Sequence, residues 1–339
     1  MKILIVRNDK LGDFILSYPV YKLLKSTIPS CEIHALVPDY TKDLADYYPW
    51  IDKTILDPGS NAKLSQQIAL LKILRQQKYS SIITLFSTTR IGFLSLLSGI
   101  KYRIAPASKI AQFFYNHKLV QQRSKSLKPE YEYNLDLAKQ FLADHGYTPV
   151  NTSHEPLLSF TNDDIRQVRN EFYTQYKLDT ESKLIFIHPG TGGSATNLDL
   201  EQYATLAKNL NINDNYTFVI TAGPNELEYA NKLSLLLKNI PHIVYPSTKG
   251  LVNFAKIIQL CEIFIGGSTG PLHIAGALNR PTAAFYQRRR SATPLRWQTL
   301  NSEDRRLAFT PPENEHESDM QKIDVIEAAN KINDKFLKF

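Results

Sequence analysis

The segment 261–279 constrains the fold of this chain more than any other, because it combines a strand, a glycine turn and a helix start. Residues 263–265 form a short apolar run, which is typical of a parallel strand buried on both faces. Glycines 266–267 permit a sharp turn after this run, and Ser268 or Thr269 can cap the helix that follows. A strand, a turn and a helix N-terminus in this order predict an anion-binding loop.

His273 falls in the first turn of that predicted helix, near enough to add a hydrogen bond to a phosphate or a sugar. A simpler interpretation fits the same residues: Ser268 and Thr269 only cap the helix, and His273 only packs. Features elsewhere in the sequence are needed to choose between these two interpretations.

Length and composition indicate a folded protein of two domains. The chain has 339 residues, of which 43% are hydrophobic and 22% are charged. The first ten residues, M-K-I-L-I-V-R-N-D-K, reach charged residues too soon for a signal peptide. No apolar run approaches the roughly 18 residues that span a bilayer. Cys31 and Cys261 are too few for a disulfide framework, so we expect a cytoplasmic protein.

The formal net charge of +7 fits an anionic ligand, an anionic membrane surface or nucleic acid. The Lys and Arg residues are spread along the chain, without zinc-ligand spacing or an aromatic RNA-binding signature. We therefore do not expect a nucleic-acid partner.

Strands alternate with helices along most of the chain, from a first strand at 2–6 to one at 282–286. Such alternation predicts parallel sheets with right-handed crossovers. The pattern weakens over 106–130, where the basic segment 121–128 predicts a mobile loop. We therefore expect an α/β protein with two doubly wound, Rossmann-like domains facing across a cleft, and an amphipathic C-terminal helix that packs back.

Domain boundaries follow from a segment near residue 150, whose prolines and small polar residues suit a linker. We expect one domain over residues 1–155, a linker and connecting helix over 156–182, a second domain over 183–322 and a terminal helix over 323–339.

Three strand-end loops in the second half carry glycine, at 190–193, at Gly223 and at 266–270. Because the carboxyl ends of parallel strands share one edge of a sheet, the amide groups of these loops could surround one diphosphate. The chain contains neither a P-loop motif nor a dinucleotide fingerprint after its first strand, and it has no Asp-x-Asp pair. We expect a diphosphate ligand bound without a metal, and no cofactor.

Asp13 follows Gly12 at the predicted start of the first helix. A carboxylate there can accept a proton from a hydroxyl group held opposite the diphosphate ligand. Two alternatives remain at this point: Asp13 only complements the helix dipole, or Asp9 in the same loop is the base.

Three motifs together resemble glycosyltransferase family 9, the heptosyltransferases and their relatives in lipopolysaccharide core assembly. They are K-I-L-I-V-R-N-D-K-L-G-D-F-I-L-S-Y-P at 2–19, I-H-P-G-T-G-G at 187–193 and F-I-G-G-S-T-G-P-L-H-I-A-G-A-L at 264–278. Their order and spacing match, and the likeness covers nearly the whole chain. The resemblance implies a GT-B fold and inverting transfer of a sugar, commonly heptose from ADP-heptose, to a lipid-linked inner-core sugar.

By motif position, the resemblance implies Asp13 as the general base. The implied contacts to the diphosphate and ribose of the donor are Thr191, Gly192, Gly193, Ser194, Ser268, Thr269, Gly270 and His273. Gly223 joins them because its loop is expected at the same sheet edge. In the first, acceptor-binding domain, Arg90 is similar to a basic position of the family, and Lys10 and Arg103 are further basic candidates.

The expected partners are a nucleotide-sugar donor, a lipid-linked oligosaccharide acceptor and an anionic membrane surface, which the basic segment 121–128 would meet from the cytoplasmic side. The chain departs from the family at Thr196, where members often have a basic residue, and at Ser268, where they often have aspartate. Arg288–Arg290 or Arg296 could replace the missing charge. Two alternatives follow: a GT-B protein that uses another nucleotide sugar, including an epimerase, or a decayed member that binds without turnover.

Overall fold

The computed structural model describes residues 1–151, 156–193, 196–210 and 215–337. The chain divides into two compact units, Met1–His154 (unit 1) and Glu155–Phe339 (unit 2). Each unit contains one parallel sheet. Because neighbouring strands run parallel, each connection between them has to cross over the sheet, and helices occupy most of these crossovers.

In the described part of unit 1, six strands form a parallel sheet in the order β3-β2-β1-β4-β5-β6. The strands are β1 (Lys2–Val6), β2 (Glu32–Pro38), β3 (Lys53–Asp57), β4 (Ser81–Thr84), β5 (Tyr102–Pro106) and β6 (His117–Leu119). The helices are α1 (Leu11–Ile15), α2 (Tyr18–Thr27), α3 (Lys42–Tyr47), α4 (Leu64–Gln76), α5 (Thr89–Leu97) and α6 (Glu130–Asp144). The central strand β1 is buried from its second residue onward, as a strand covered on both faces should be.

Unit 2 repeats this arrangement, with six strands in its described part in the order β12-β11-β10-β7-β8-β9. The strands are β7 (Lys183–His188), β8 (Tyr216–Ala222), β9 (His242–Pro246), β10 (Cys261–Gly267), β11 (Thr282–Phe285) and β12 (Arg306–Phe309). The helices are α7 (Asn162–Tyr176), α8 (Leu200–Asn209), α9 (Leu227–Leu236), α10 (Gly250–Ile258), α11 (Gly270–Ala277) and α12 (Val325–Phe336). The prediction of two doubly wound, Rossmann-like α/β domains is confirmed.

Several helices begin with the capping chemistry that their sequences indicate. The side chain of Thr161 accepts a hydrogen bond from the amide of Asp164 at the start of α7, and Asp199 does the same for Gln202 in α8. Asp324 accepts from two amides at the start of α12. These caps fix the residues at which the three helices begin.

Two short edge strands, β6 and β12, were not predicted from the sequence. Each has only three or four residues, and each pairs on one side only, with β5 and β11 respectively. An edge strand of this length has no continuous apolar run, so its formation depends on the neighbour that it pairs with.

The basic segment 121–128 is not the mobile loop that its composition predicts. Arg123 donates to the carbonyl of Leu85 at 3.0 Å and to the carboxylate of Glu130 at 2.7 Å. Lys128 donates to the carboxylate of Asp136. Two of the three basic side chains of this segment therefore form ion pairs within unit 1.

The predicted C-terminal helix is confirmed as α12, which packs against α8 in unit 2. Ala329 and Ile332 are buried in the same apolar core as Leu206 of α8. Asn333 adds a hydrogen bond from its side chain to the carbonyl of Asn209 at 3.0 Å.

We predict that Ile332→Ala lowers the free energy of unfolding of unit 2 by about 2–5 kcal/mol, because it leaves a cavity between α12 and α8. The matched control is Ile326→Ala on the half-exposed side of the same helix, which should change stability by less than about 0.5 kcal/mol. Urea denaturation would measure both. Equal midpoints for the two variants would show that α12 contributes little to the core.

Candidate functional site

The strand order reverses beside the first strand of each sheet, between β1 and β4 in unit 1 and between β7 and β10 in unit 2. In open α/β sheets, ligands bind at the carboxyl ends of the strands at such a switch point. The donor-binding residues predicted from the sequence follow β7, its neighbour β8, or β10. Asp13 follows β1.

Thr269 is the N-cap residue of α11, but its side chain makes no capping hydrogen bond. Its hydroxyl oxygen Oγ1 is buried and has no hydrogen-bond partner among the described residues. An unsatisfied buried hydroxyl is destabilising by about 1–3 kcal/mol, so such a group calls for a ligand or a water molecule. Thr269 therefore occupies the N-cap position without the side-chain hydrogen bond that the simpler interpretation assumes.

His273 lies one turn further along α11 and is also buried. Its ring nitrogen Nδ1 finds no partner within the ranges that the structure covers. Burial lowers the pKa of His273 to about 4, so the ring is neutral near pH 7 and can donate one hydrogen bond. Thr269 and His273 thus place two unsatisfied polar atoms on the first turn of α11, where the helix amide groups also lack intrahelical partners.

The loops that follow β7 and β10 are in contact through Asn197. Its Nδ2 donates to the carbonyl of Pro189 at 3.0 Å, and its Oδ1 accepts from the hydroxyl of Tyr203 at 2.6 Å. A Cβ atom on Gly267 would lie 2.7 Å from Oδ1 of Asn197. Glycine is therefore required at position 267 by the close approach of Asn197.

Glu226, which the sequence analysis did not single out, joins the loops that follow β7 and β8. Its Oε1 accepts from the amide of Gly192 at 2.7 Å, and its Oε2 accepts from the amide of Gly223 at 2.9 Å. A Cβ atom on Gly190 would lie 2.3 Å from this carboxyl group. A carboxylate thus already occupies two of the amide groups that were predicted to bind a diphosphate.

Glu226 follows Gly223 by three residues, and its amide donates to the carbonyl of Gly223 at 3.1 Å. An acidic residue one tight turn after a strand-end glycine is the signal that could have identified it. His188, the last residue of β7, lies next to Glu226, with 3.7 Å between Nε2 and Oε2. Burial lowers the pKa of His188, and Glu226 opposes this shift.

The remaining predicted donor contacts lie in the same loops. The amide of Gly193 donates to the hydroxyl of Thr191 at 3.2 Å. Ser268 precedes the cap of α11 and Gly270 is the first residue of that helix. Ser194 lies outside the described residues. Contact of these residues with a donor stays a prediction.

In unit 1 the switch point holds a cluster of charged groups around Arg7, which directly follows β1 and is 2% exposed. Its guanidinium donates to Asp9 at 2.8 Å, to Glu130 at 2.9 Å, to Asn134 at 3.1 Å and also to Asp13. Burial by itself lowers the pKa of Arg7, but the three carboxylates raise it by more. Arg7 therefore stays charged inside unit 1.

Asp13 lies in the first turn of α1 and is buried. Burial raises the pKa of Asp13 to about 6, and the carboxylates of Asp9 and Glu130 add to this shift, while Arg7 opposes it. A carboxylate whose pKa lies close to neutral pH is suited to general base catalysis. Asp9 is half-buried and bonded to Arg7 in the same loop, so the structure leaves both carboxylates near each other.

Glu130 and Asn134 come from α6, more than a hundred residues after Arg7, and the sequence analysis missed both. The Oε1 of Glu130 accepts from Arg7 at 2.9 Å and from Arg123 at 2.7 Å. Glu130 is thus the shared counter-charge of two guanidinium groups. No local motif in the sequence indicates this pairing.

Two of the predicted acceptor contacts lie near Asp13 or are connected to its loop. Lys10 is the exposed N-cap residue of α1. Arg90, in the first turn of α5, donates to Gln67 at 3.0 Å and to the carboxylate of Asp57. Asp57 also accepts from Asn8 in the loop after β1.

Arg103 is placed differently. The strand register sets it opposite Ile82 in β4, toward the amino ends of the strands, whereas Asp13 follows the carboxyl end of β1. Its guanidinium donates to the main-chain carbonyls of Phe114, at 3.0 Å, and Ile100. The structure does not bring Arg103 together with Asp13.

The arginines that were considered as a replacement charge are partly engaged elsewhere. Arg288 donates to the carbonyls of Pro311 at 2.9 Å and Glu315 at 2.7 Å. Arg296 lies over the ring of Trp297, with 5.5 Å to its centroid. Arg288 in particular is held by main-chain carbonyls.

Among the described residues, none of the helices combines the length and the apolar character needed to cross a membrane. The same ranges contain no group of three or more His, Cys, Asp or Glu residues arranged to hold a metal ion.

Comparison with known proteins identifies the class. The model of glycosyltransferase family 9 (heptosyltransferase) matches residues 67–324. A Haemophilus influenzae protein provisionally named a glycosyltransferase is 44% identical over 311 residues, 92% of this chain and 89% of its own. Lipopolysaccharide heptosyltransferase 1 of Campylobacter coli is 26% identical over 304 residues, 87% of this chain and 85% of its own.

A solved structure has the same fold. The ADP-heptose lipopolysaccharide heptosyltransferase II of Escherichia coli superimposes with a TM-score of 0.75 at 21% identity, covering 98% of each chain. The two units thus form a two-domain GT-B α/β fold, and the protein is a glycosyltransferase. The chain belongs to glycosyltransferase family 9.

We predict that Glu130→Gln lowers the stability of unit 1 by about 3–5 kcal/mol, because Arg7 and Arg123 lose their shared counter-charge in a buried place. Glu132→Gln on the same helix is half-exposed and should change stability by less than about 0.5 kcal/mol. Chemical denaturation of both variants would measure the difference. Equal stability of the two would mean that Asp9 and Asp13 suffice to compensate Arg7 and that Arg123 does not depend on Glu130.

Proposed function

We propose that this glycosyltransferase moves a heptose from ADP-heptose to a lipid-linked inner-core sugar of lipopolysaccharide, with inversion at the anomeric carbon and Asp13 as the general base. One observation carries the proposal: Thr269 Oγ1 and His273 Nδ1 are buried and unsatisfied among the described residues, on the first turn of α11. The name of the solved relative, an ADP-heptose lipopolysaccharide transferase, supports the choice of donor and acceptor.

In this proposal, two features of unit 2, the start of α11 and the Glu226 carboxylate, bind different parts of the donor. A helix N-terminus with a hydroxyl and a neutral imidazole favours the negative diphosphate, so we assign this group to residues 268–273. The carboxylate of Glu226 repels phosphates but accepts hydrogen bonds from hydroxyl groups, so we assign it to the sugar hydroxyls of the donor. Gly192 and Gly223 then act through the position that their amides give to Glu226.

The chemistry requires one proton acceptor and one stabilised leaving group. The acceptor hydroxyl attacks the anomeric carbon, and its proton passes to the Asp13 carboxylate. The bond from the anomeric carbon to the diphosphate oxygen breaks, and the nucleoside diphosphate leaves with the bonding electrons. The amides at the start of α11 stabilise the charge that develops on the leaving diphosphate, and attack from the opposite side inverts the anomeric carbon. We keep the sequence-based expectation that no metal takes part.

On the acceptor side the proposal relies on Lys10 and Arg90. Lys10 is exposed and lies three residues before Asp13, and Arg90 is joined to the same region through Asp57. Cationic side chains there favour an acceptor that carries phosphate groups. We further propose that the protein meets this acceptor at the inner face of the inner membrane, bound to the surface without spanning it.

A second candidate is favoured by position 196, where the family often has a basic residue. The hydroxyl of Thr196 accepts from Gln287 at 2.6 Å, so this position offers no cation. A transferase of the same fold could therefore use another nucleotide sugar. Titration calorimetry with ADP-, UDP- and GDP-sugars would distinguish these donors. Tighter binding of a UDP- or GDP-sugar would identify that sugar nucleotide as the donor in place of ADP-heptose. Binding without turnover would indicate a decayed enzyme.

We predict that Asp13→Asn lowers the rate of transfer by about 10²–10⁴-fold, since the amide cannot accept the proton of the acceptor hydroxyl. Donor affinity should stay close to that of the wild type, because the donor is assigned to unit 2. Single-turnover assays beside donor titration would measure both quantities. Asp9→Asn is the matched control, and a larger loss of rate in that variant would transfer the role of base to Asp9.

The assignment of Asp13 as the general base also predicts how the rate of transfer depends on pH. Because the raised pKa of Asp13 lies at about 6, its ionised and active form is lost as the pH falls below that value. The wild-type single-turnover rate should therefore fall about tenfold per pH unit on the acid side of pH 6. A rate that stays level down to pH 4.5 would be inconsistent with Asp13 as the base.

We predict that Thr269→Val and His273→Ala each weaken binding of the donor or of ADP by about 1–3 kcal/mol, the range of a hydrogen bond to a charged group. Thr269→Ser keeps the hydroxyl and should keep most of the affinity. Titration calorimetry with ADP and a thermal melt of each variant would separate binding from stability. Unchanged affinity for ADP in the Thr269→Val variant would contradict the assignment of the diphosphate to the start of α11.

A further inference from the structure

Residues 58–129 of unit 1 carry charge of one sign only. The segment contains twelve Lys and Arg residues and no Asp or Glu, although the whole chain has 40 basic and 33 acidic residues. Eight of the twelve basic side chains are exposed: Lys63, Lys72, Arg75, Lys78, Lys101, Lys109, Lys118 and Lys125. Carboxylates from outside the segment pair with Arg90, Arg123 and Lys128, but the exposed basic side chains leave a net positive charge that attracts anions.

The same segment exposes large apolar side chains. Phe93 on α5 is 49% exposed, and Phe113, in a short 3-10 helix at Ile110–Phe114, is 76% exposed. Leu96 and Leu97 on α5, Ile110 in the 3-10 helix, and Leu64 and Ile68 on α4 are exposed as well. On α5 the exposed positions are 93, 96 and 97, a spacing that places them on one side of the helix.

These side chains belong to one continuous layer. Arg75 near the end of α4 donates to the carbonyl of Leu97 at the end of α5, at 3.0 and 2.9 Å. Both helices contribute their buried sides to one core against the sheet, which includes Leu70 of α4 and Ile91 of α5. The 3-10 helix packs closely on α5, since a Cβ atom on Gly92 would lie 2.9 Å from the ring of Phe114.

From this layer we infer that α4, α5 and the 3-10 helix at Ile110–Phe114 form the surface by which unit 1 docks on an anionic lipid bilayer, with Phe93 and Phe113 inserted at the boundary between head groups and acyl chains. The inference specifies the membrane partner of the proposed function and rests on it. It replaces the segment 121–128, whose Arg123 and Lys128 are held in ion pairs.

Charge complementarity decides between possible occupants. A second copy of the same face would bring like charges together, which opposes association. A nucleic acid would satisfy the basic groups but offers no apolar phase for Leu96, Leu97 and Ile110. An anionic bilayer offers both negative charge and an apolar interior, which is the combination that interfacial binding requires.

The first test measures binding of the full chain to vesicles of phosphatidylethanolamine with phosphatidylglycerol by co-sedimentation. Phe93→Ser with Phe113→Ser should weaken binding by at least about tenfold, since two aromatic side chains no longer insert. The matched control is Leu235→Ser in α9 of unit 2, which is 64% exposed and should bind like the wild type. Thermal melts would confirm that the variants fold.

Charge is tested in the same assay. Lys72→Glu with Lys109→Glu should weaken binding by at least about tenfold, because each removes attraction to the anionic surface. Lys208→Glu with Lys238→Glu changes the net charge equally in unit 2 and should have a much smaller effect. Binding of the wild type should fall between low and physiological salt and should be absent on phosphatidylcholine vesicles.

Quenching of tryptophan fluorescence tests insertion directly. The added fluorescence of the Phe113→Trp variant should be quenched by vesicles with brominated acyl chains, whereas that of the Leu235→Trp variant should not. Equal quenching of the two, or undiminished vesicle binding by the double Ser variant, would overturn the inference. The inference would also be overturned if the wild type formed a dimer in analytical ultracentrifugation and the double Ser variant did not. A second copy of the chain would then cover this face.

Transfer to a soluble, delipidated acceptor keeps this inference separate from the proposed function. All the variants of Phe93, Phe113, Lys72 and Lys109 should turn over that acceptor at the wild-type rate. If the wild type itself shows no transfer, the proposed function fails, and the vesicle results still decide the docking surface.

Discussion

The reversal of strand order in each parallel sheet is the constraint on which the candidate sites depend. It places the loops that follow β1 and β4 at one edge of unit 1, and those that follow β7 and β10 at one edge of unit 2. The two loops at each edge are far apart in sequence, and only the parallel register makes the loops neighbours. Asp13 and Arg7 share one such edge, and Thr269 and His273 lie at the other.

A buried guanidinium group, that of Arg7, is a second constraint on unit 1. A guanidinium group inside a protein needs counter-charges and hydrogen-bond acceptors, and Arg7 has three carboxylates and one amide oxygen within reach. Because Asp13 is one of them, its ionisation depends on residues outside its own helix. Glu130, fixed by α6, thus influences the candidate base from outside the loop that carries it.

The sequence predicted what local chemistry determines. Apolar runs and glycine turns located most strands, and the three motifs located Asp13 and the α11 loop. Glu130, Asn134 and Glu226 were missed, because two of them act across more than a hundred residues and the third acts through a tight turn. The role of 121–128 was misjudged for a different reason: composition alone does not show that Arg123 pairs with Glu130 and Lys128 with Asp136, only seven and eight residues along the chain.

The hydrogen bonds that Glu226 accepts from two loops affect the energetics of ligand binding. Glycine-rich loops have high conformational entropy, and ordering them on binding would diminish affinity. Here the carboxylate holds the amides of Gly192 and Gly223 without a ligand. If the donor binds at this edge of unit 2 as proposed, the protein's own side chain therefore preorganises the loops that receive it.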